Sequence, residues 1–360
     1  IPNLVVWKNF SPRLGFVYQL TEDGKTIIRG HYGRYVEFLS AGTFNSPGPY
    51  NPDFNAYYWD GSDWVNYLHV PGNLAWGVDP NLKAPYSDLF TIGIEREIVP
   101  DLSLGIQGVY KKTKNDMSFW NVGAIYEQVP LVSPDNGETY MVYNQTNLGA
   151  NEYIITNPPD FGLTYKGIII DIGKRYSHNW LLNASVSYSR SEGLGIQSTD
   201  YNNYQSSVIA HVGYSVGRDR NNYLNADGLM TNDRPWHFKL QFAYNFPFDI
   251  LFGAHFQYMS GRPYIYYVRV YPDQGVRTII AEPRNNDDRF DSISQLDLRL
   301  EKTFRIYNNV RFSAMVDVFN ALNAGTVLYW ASHRFYSSSY QVPSRMMTPR
   351  QFQIGLKIQF

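Results

Sequence analysis

The last ten residues of the chain, 351–360, read QFQIGLKIQF. Every even-numbered residue in this stretch is apolar, and every odd-numbered residue is polar or glycine. Since successive side chains of a β-strand point to opposite faces of a sheet, the alternation predicts a strand with one apolar and one polar face. About ten residues are also enough for a tilted strand to cross a bilayer. The stretch therefore indicates a membrane-spanning β-strand.

The same alternation recurs upstream in five pairs of segments, and a short turn joins the two members of each pair. The turns contain Gly, Asn, Asp or Pro, which is typical of β-hairpins. Together with the terminal strand, the pairs predict eleven strands whose apolar positions are even-numbered. The paired segments are 12–20 with 26–36, 87–98 with 102–114, 165–176 with 180–190, 238–244 with 252–258, and 293–306 with 310–319.

Five long connections alternate with these short turns, at residues 37–85, 115–164, 191–233, 270–292 and 321–348. Long unstructured connections are uncommon in compact domains, whereas short turns alternating with long loops are the layout of an outer-membrane barrel. We therefore predict an all-β protein, a transmembrane antiparallel β-barrel in the outer membrane of a Gram-negative (diderm) bacterium. Its long loops are expected to be extracellular and its C-terminus periplasmic. The alternative is a soluble β-sandwich or propeller with decorated loops.

The composition and the motifs narrow the range of functions that this chain can have. The 360 residues carry 31 basic and 32 acidic side chains and no cysteine. Without excess positive charge a nucleic-acid partner is not expected, and without cysteine there is neither a thiolate nucleophile nor a disulfide. The chain contains no Gly-rich phosphate loop, nucleophile elbow or zinc-protease motif, and its seven histidines lack metal-ligand spacing. We therefore expect no enzyme, no cofactor and no metal site.

The odd number of strands bears on domain organisation. Eleven antiparallel strands cannot close on themselves, and an open sheet edge in lipid leaves backbone groups without hydrogen bonds. Eleven is also half of 22, the strand number of the plugged outer-membrane transporters. We therefore expect residues 1–360 to be the C-terminal part of one transmembrane barrel domain, with the plug and N-terminal domains outside this chain. Residues 117–132 leave room for further short strands.

Five stretches and the terminal strand resemble, in order, the C-terminal barrel half of TonB-dependent outer-membrane receptors. The resemblance is to the Oar-like branch, which has a carboxypeptidase-regulatory-like N-terminal domain. The stretches are FSPRLGFVY (10–18), DGKTIIRGHYGRY (23–35), DRPWHFK (233–239), YMSGRPY (258–264) and VDVFNALN (316–323).

This resemblance implies a receptor that binds a bulky nutrient and imports it with energy supplied through TonB. The implied partners are outer-membrane lipid, the protein's own plug and upstream strands, the TonB complex through the missing N-terminal part, and a surface lipoprotein over the loops. The resemblance leaves the substrate open among iron chelates, glycans, peptides and cobalamin. Two other functions fit a barrel: a passive porin, and a surface scaffold that binds partner proteins.

Charged residues on the odd-numbered face are expected to line the lumen. They either hold the plug through ion pairs or keep a wet lumen soluble, and hairpin pairing predicts that Arg299 and Glu301 lie near Arg311 and Asp317. The resemblance also marks Phe360, a C-terminal aromatic residue, as an outer-membrane assembly signal. The candidate lumen residues are Lys239, His255, Asp297, Arg299, Glu301, Arg311 and Asp317.

Aromatic residues in three long connections are the candidate ligand or partner contacts. Flat rings stack on sugars or grip peptides, and tyrosine offers contact area with little entropy to lose. The alternative is that these rings pack the loops against each other. The candidates are Tyr50, Tyr57, Tyr58, Trp59, Trp64 and Tyr67 in the first connection, Tyr264, Tyr266 and Tyr267 in the second, and Tyr329, Trp330 and Tyr336 in the third.

Overall fold

A computed structural model describes residues 5–37, 54–59, 61–70, 75–194, 219–284, 288–307 and 310–360. Within these ranges, no helix is long and apolar enough to cross a membrane. A 3-10 turn lies at Arg220–Tyr223. The strands, in chain order, are β1 (Arg13–Gln19), β2 (Thr26–Val36), β3 (Phe54–Trp59), β4 (Trp64–Val70), β5 (Ala75–Val78), β6 (Tyr86–Val99), β7 (Leu102–Lys114), β8 (Ser118–Asn121), β9 (Tyr126–Val132), β10 (Thr139–Gln145), β11 (Glu152–Thr156), β12 (Gly162–Ser177), β13 (Trp180–Leu194), β14 (Gly228–Leu229), β15 (Trp236–Phe246), β16 (Ile250–Met259), β17 (Tyr267–Val270), β18 (Arg277–Ile280), β19 (Ile293–Tyr307), β20 (Val310–Phe319), β21 (Val327–Trp330), β22 (Pro343–Met346) and β23 (Gln351–Gln359).

One large antiparallel sheet contains the eleven strands that the alternation predicts. Its order is β1-β2-β6-β7-β12-β13-β15-β16-β19-β20-β23, and the short strand β14 pairs with β13 beside this path. Each strand therefore pairs with its predecessor and successor in this series, which is the meander of a barrel wall. The sheet is open, with β1 and β23 at its two edges. The prediction of eleven consecutive antiparallel strands is confirmed.

Short turns join the strands at one end of the sheet, which we call the short-turn end. Between β12 and β13 the turn residues His178 and Asn179 both have positive φ, at 51° and 68°. Such turns match the twist of the strands that they connect, and asparagine tolerates the left-handed conformation. The opposite end of the sheet, where the long connections begin and finish, is the long-connection end.

The two faces of the sheet have opposite chemistry. Even-numbered side chains form an exposed apolar face on strand after strand, including Phe16, Ile92 and Ile354. Odd-numbered side chains on the other face include the buried Ser313 and Asp317. A contiguous exposed apolar surface of this extent is typical of a face that contacts lipid. We call it the outer face, and the polar one the inner face.

Buried apolar side chains lie mainly in the long connections rather than in the sheet. Val142 and Val268 are fully buried in one cluster, and Met117 and Ile155 are fully buried in another. Short strand pairs build these clusters: β9 with β10, β17 with β18, β21 with β22, and β5, β11 and β8 together.

This arrangement corrects the sequence analysis, which treats the connections as loops without regular structure. Their alternating runs are only four to seven residues long, and most pair with another short run of the same connection, so no single run is long enough to show a clear period. The room for further strands at residues 117–132 is filled by β8 and β9.

Candidate ligand-binding loops and inner face

Four long connections form one body at the long-connection end. We call it the loop assembly, and it comprises the described residues of 115–161, 219–235, 260–292 and 320–350. The Asn221 side chain accepts a hydrogen bond from the Tyr143 backbone N–H at 2.8 Å and donates one to the Tyr143 carbonyl at 2.7 Å. The Tyr267 backbone N–H donates to the His333 carbonyl at 2.9 Å. These bonds fix each connection against another one.

A buried ion pair joins two of these connections. The Asp135 side chain is nearly inaccessible and lies 2.5 Å from Nη2 of Arg269, and the Arg269 backbone N–H donates to the same carboxylate at 2.6 Å. Burial alone would raise the pKa of Asp135, but the hydrogen bonds and charge of Arg269 outweigh it and lower that pKa. The guanidinium also stacks 4.0 Å from the ring centroid of Tyr336. Asp135 therefore stays ionised and holds Arg269 in place.

The second and third groups of candidate aromatic residues meet in one cluster within the loop assembly. The ring centroids of Tyr264 and Trp330 are 4.7 Å apart, and those of Phe290 and Trp330 are 4.6 Å apart. Tyr266 packs on Tyr264 at 5.2 Å. Burial raises the pKa of Tyr266 far above its usual value, so its hydroxyl remains protonated. The aromatic cluster consists of Tyr264, Tyr266, Phe290, Trp330, Phe335 and Tyr340.

Two buried residues that the sequence analysis does not single out support this cluster. Arg262 is buried, with its guanidinium carbon 3.8 Å from the ring centroid of Tyr329 and 4.9 Å from that of Phe290. His333 lies 5.3 Å from the Trp330 ring and 6.2 Å from the Phe290 ring. The only local signal for Arg262 is its place between glycine and proline in the YMSGRPY stretch. No comparable signal marks His333.

Acidification is expected to weaken the loop assembly through His333. This side chain is 3% exposed, and burial, reinforced by the charge of Arg262, lowers its pKa to about 3. Between the unfolded pKa of about 6.5 and the folded value, only the unfolded state binds the proton, so stability falls as pH falls. The expected loss is about 2 kcal/mol at pH 5, to be measured by thermal unfolding with tryptophan fluorescence between pH 7.5 and pH 5.

The variant His333→Phe should flatten this pH dependence, because it removes the titrating group and keeps an aromatic ring. The matched control is His178→Asn, which removes an exposed histidine from a short turn and should leave the pH dependence as it is in the unaltered protein. An unchanged slope in His333→Phe would contradict the assignment.

The first group of candidate aromatic residues lies on the hairpin of β3 and β4. Trp59 and Trp64 face each other across its turn, with ring centroids 5.6 Å apart, and are 53% and 64% exposed. Tyr57 is also exposed. Tyr58 and Tyr67 lie on the same two strands, and Tyr50 falls outside the described residues. Unlike the rings of the aromatic cluster, the two tryptophan rings of this hairpin are more than half exposed.

The inner face brings some of the candidate lumen residues together. Nε and Nη2 of Arg299 bind the Asp317 carboxylate at 2.6 and 2.9 Å, a two-pronged pair between β19 and β20. Nδ1 of His255 lies 3.8 Å from Asp297. Lys239 is opposite Gln257, and Glu301 is opposite Met315.

The predicted proximity of Arg311 to Arg299 and Glu301 is wrong. Arg311 lies opposite Arg305 and Gln359, near the short-turn end, while Asp317 is six residues further along β20. The hairpin turn sets this register, and six residues at about 3.3 Å each separate Arg311 from Asp317 by about 20 Å along β20.

Comparison with known proteins defines the class. Residues 4–260 match the family model described as an outer membrane beta barrel domain, and the chain belongs to that family. It is 22% identical over 266 residues to the TonB-dependent transporter Oar of Myxococcus xanthus, covering 72% of this chain and 23% of that protein. The chain thus spans less than a quarter of this curated relative.

Solved structures of TonB-dependent receptors share the fold. The outer membrane transporter YddB from Escherichia coli has a TM-score of 0.54 at 14% identity over 98% of this chain and 41% of YddB. The ferripyoverdine receptor of Pseudomonas aeruginosa has a TM-score of 0.52 at 13% identity, over 98% of this chain and 33% of that receptor. The predicted resemblance to TonB-dependent outer-membrane receptors is confirmed.

These relatives are transporters and receptors rather than enzymes, and the described residues contain no group of three or more His, Asp or Glu side chains arranged to hold a metal ion.

Proposed function

We propose that this chain is part of an outer-membrane receptor that binds a bulky nutrient at its loops and imports it with energy delivered through TonB. The observation that carries the proposal is the loop assembly. It has its own buried core and ion pairs, and it lies at one end of a sheet whose outer face is of the kind that contacts lipid. Loops of this kind form a shaped surface that can recognise a large ligand. A passive porin has no need for a packed surface over its mouth.

The open sheet indicates which further parts the proposed receptor needs. Strands β1 and β23 carry unpaired edges, which lipid cannot satisfy, so upstream strands are proposed to complete a barrel of 22 strands around a plug. The lengths of the solved relatives support this completion. In this arrangement the loop assembly is extracellular and the C-terminus periplasmic, with Phe360 free to act as the assembly signal.

The inner face is proposed to contact the plug. Arg299 and Asp317 already neutralise each other, and His255 lies beside Asp297. Within the described chain, Lys239, Glu301 and Arg311 form no ion pair. Charges of both signs on one wall suit a plug that is held firmly at rest and released by a pull. This role for the seven candidate lumen residues rests on the barrel being completed as proposed.

The exposed tryptophans of the β3–β4 hairpin, Trp59 and Trp64, are the proposed first contact with the ligand. In the full-length protein, the double variant Trp59→Ala/Trp64→Ala should weaken binding of the imported nutrient about tenfold, because two stacking surfaces are lost. The probes are a radio-iron siderophore panel, labelled oligosaccharides, casein peptides and cobalamin, each measured for binding and uptake in cells with and without TonB. The matched control is Trp236→Ala, which removes a tryptophan of similar exposure from the outer face.

Each alternative predicts a different outcome. Uptake of small solutes that does not depend on TonB would replace the proposal by a passive porin. Absence of uptake for every probe, together with stable capture of surface proteins by the loops, would replace it by a scaffold. A double variant that binds the imported probe as well as the unaltered protein does would remove the hairpin from the binding surface.

A further inference from the structure

The connection between β20 and β23, which we call the last connection, is closed at its base by two asparagines. The Asn320 side chain accepts a hydrogen bond from the Ala324 N–H at 3.0 Å and donates to the carbonyls of Ala324 and Thr348 at 3.0 and 2.8 Å. The Asn323 side chain accepts a hydrogen bond from the Arg350 N–H at 3.0 Å. These bonds tie the two ends of the last connection together, and we call them the clasp.

The clasp depends on backbone conformations that asparagine tolerates. The φ angle is 50° at Asn320 and 54° at Asn323, both in the left-handed region in which asparagine is enriched. Asparagine side chains also bind nearby backbone groups readily in turns. Asn320 is only 4% exposed, so its own backbone N–H needs an acceptor within the protein.

That acceptor is a carboxylate on the inner face. Oδ1 of Asp297, on β19, accepts a hydrogen bond from the Asn320 N–H at 2.8 Å. Oδ2 of the same carboxylate lies 3.8 Å from Nδ1 of His255 on β16, and the Gln295 side chain donates to both oxygens at 3.2 and 3.0 Å. One oxygen of Asp297 therefore holds the base of the last connection, while the other faces a neighbour on the inner face.

No lysine or arginine of the described chain pairs with Asp297. Arg299, two residues further along β19, is already paired with Asp317, and the register partner of His255 on β15 is Gln241. The Asp297 side chain is 22% exposed, so a cation that enters the lumen can reach it. A hydrogen bond between two charged groups is stronger than one between neutral groups, and it would fix the orientation of the carboxylate.

The last connection also carries half of the aromatic cluster. Its three rings pack against three rings of the connection between β16 and β19, so their contacts depend on how the base of the last connection is held. The clasp sets that position. The rings are Trp330, Phe335 and Tyr340 in the last connection, and Tyr264, Tyr266 and Phe290 in the other.

We propose that Asp297 couples the inner face to the shape of the aromatic cluster. A cationic side chain of the plug that binds Oδ2 fixes the carboxylate, so that Oδ1 holds the Asn320 N–H and the clasp stays closed. When that cation moves away, the carboxylate can turn, the buried N–H loses its acceptor, and the population of the open clasp rises. Displacement of the plug would therefore loosen the last connection, and a ligand that needs the closed clasp would bind more tightly while the plug is in place. The inference rests on the proposed function only for the plug as the source of the cation.

The test attaches a charge beside Asp297 in the full-length protein in lipid vesicles and follows hydrogen exchange of the backbone amides of residues 320–350. Residues 1–360 contain no cysteine, so His255→Cys can be labelled with a cationic or an anionic methanethiosulfonate, and peptide mass confirms the labelled position. The anionic adduct should repel the carboxylate and make exchange about tenfold faster than the cationic adduct does. In the double variant His255→Cys/Asp297→Asn, which keeps an oxygen acceptor and loses the charge, the two adducts should give equal rates.

The matched control carries the same adducts at Ser103→Cys, which lies on the inner face of β7, four strands away from β16 in the sheet order. There the sign of the adduct should not change the exchange of residues 320–350. Equal rates for the two adducts at position 255 would overturn the inference, and so would a sign dependence that persists in the double variant. The expected sign dependence in a protein without TonB-dependent uptake would support the coupling and remove only the transport proposal.

Discussion

Replacing Asp233 by alanine is expected to lower the free energy of unfolding by about 3 kcal/mol, because it leaves a charge buried without its partner. The Asp233 side chain is 1% exposed and accepts hydrogen bonds from Nη2 of Arg289 at 2.7 Å and from the Ser191 backbone N–H at 2.6 Å. Arg289 also donates to the carbonyls of Asp233 and Gly261. One carboxylate therefore joins the end of β13 to two connections of the loop assembly.

The measurement is guanidinium unfolding of the full-length protein in lipid vesicles, followed by tryptophan fluorescence. The matched control is Asp249→Asn, which removes the charge from a pair with Arg305 at the short-turn end and keeps a residue that tolerates the positive φ of 55° found there. The atoms of that pair are 3.0 Å apart, but its side chains are 43% and 71% exposed. Water screens such a pair, so the control should lose no more than about 0.5 kcal/mol. Equal losses of unfolding free energy in the two variants would show that the burial of the Asp233 carboxylate does not account for its contribution to stability.

The substitution Gly261→Ala is expected to open the aromatic cluster and to cost about 3 kcal/mol or more. A Cβ atom at this position would lie 1.5 Å from the carbonyl oxygen of Phe290 and 2.5 Å from its carbonyl carbon. Both are backbone atoms, so no side-chain rotation can relieve the overlap. The Phe290 N–H donates to the Arg262 carbonyl at 3.0 Å in the same place, and this bond would be lost when the two segments separate.

The opening should appear as new protease cleavage between residues 260 and 292 and as a lower thermal midpoint. The control is Gly325→Ala in another part of the loop assembly, where the nearest atom to a built Cβ is Cε of Met346 at 4.0 Å. That variant should unfold as the unaltered protein does. If Gly261→Ala matched the control in both assays, the close approach of the two backbones would be refuted.

The eleven sheet strands are predictable from sequence because one face of each is apolar over most of its length. For β6 and β7, the predicted segments 87–98 and 102–114 differ from the observed strands by at most one residue at either end. The lipid-facing side needs continuous apolar side chains, so the period of two is seldom interrupted. The same regularity fixes the register and hence the pair of Arg299 with Asp317.

The loop assembly is not predictable in this way, because its contacts join residues that are far apart in the chain. Val142 packs in one cluster with Val268 and Val270, more than 120 residues away, and Asp135 pairs with Arg269. A run such as β17, Tyr267–Val270, is too short to show a period. The sequence marks its tyrosines as candidate ligand contacts, but it holds no sign of the buried His333 and marks the buried Arg262 only by its place between glycine and proline.

The cross-linking of the long connections has a consequence for engineering the ligand specificity of the proposed receptor. If residues 115–161 were exchanged for the corresponding segment of a relative, Arg269 would lose Asp135 and Asn221 would lose the Tyr143 backbone in its present position. The incoming segment would in turn arrive without the neighbours that shaped it. A useful chimera must therefore carry all four connections together, and variation in one of them is constrained by the other three.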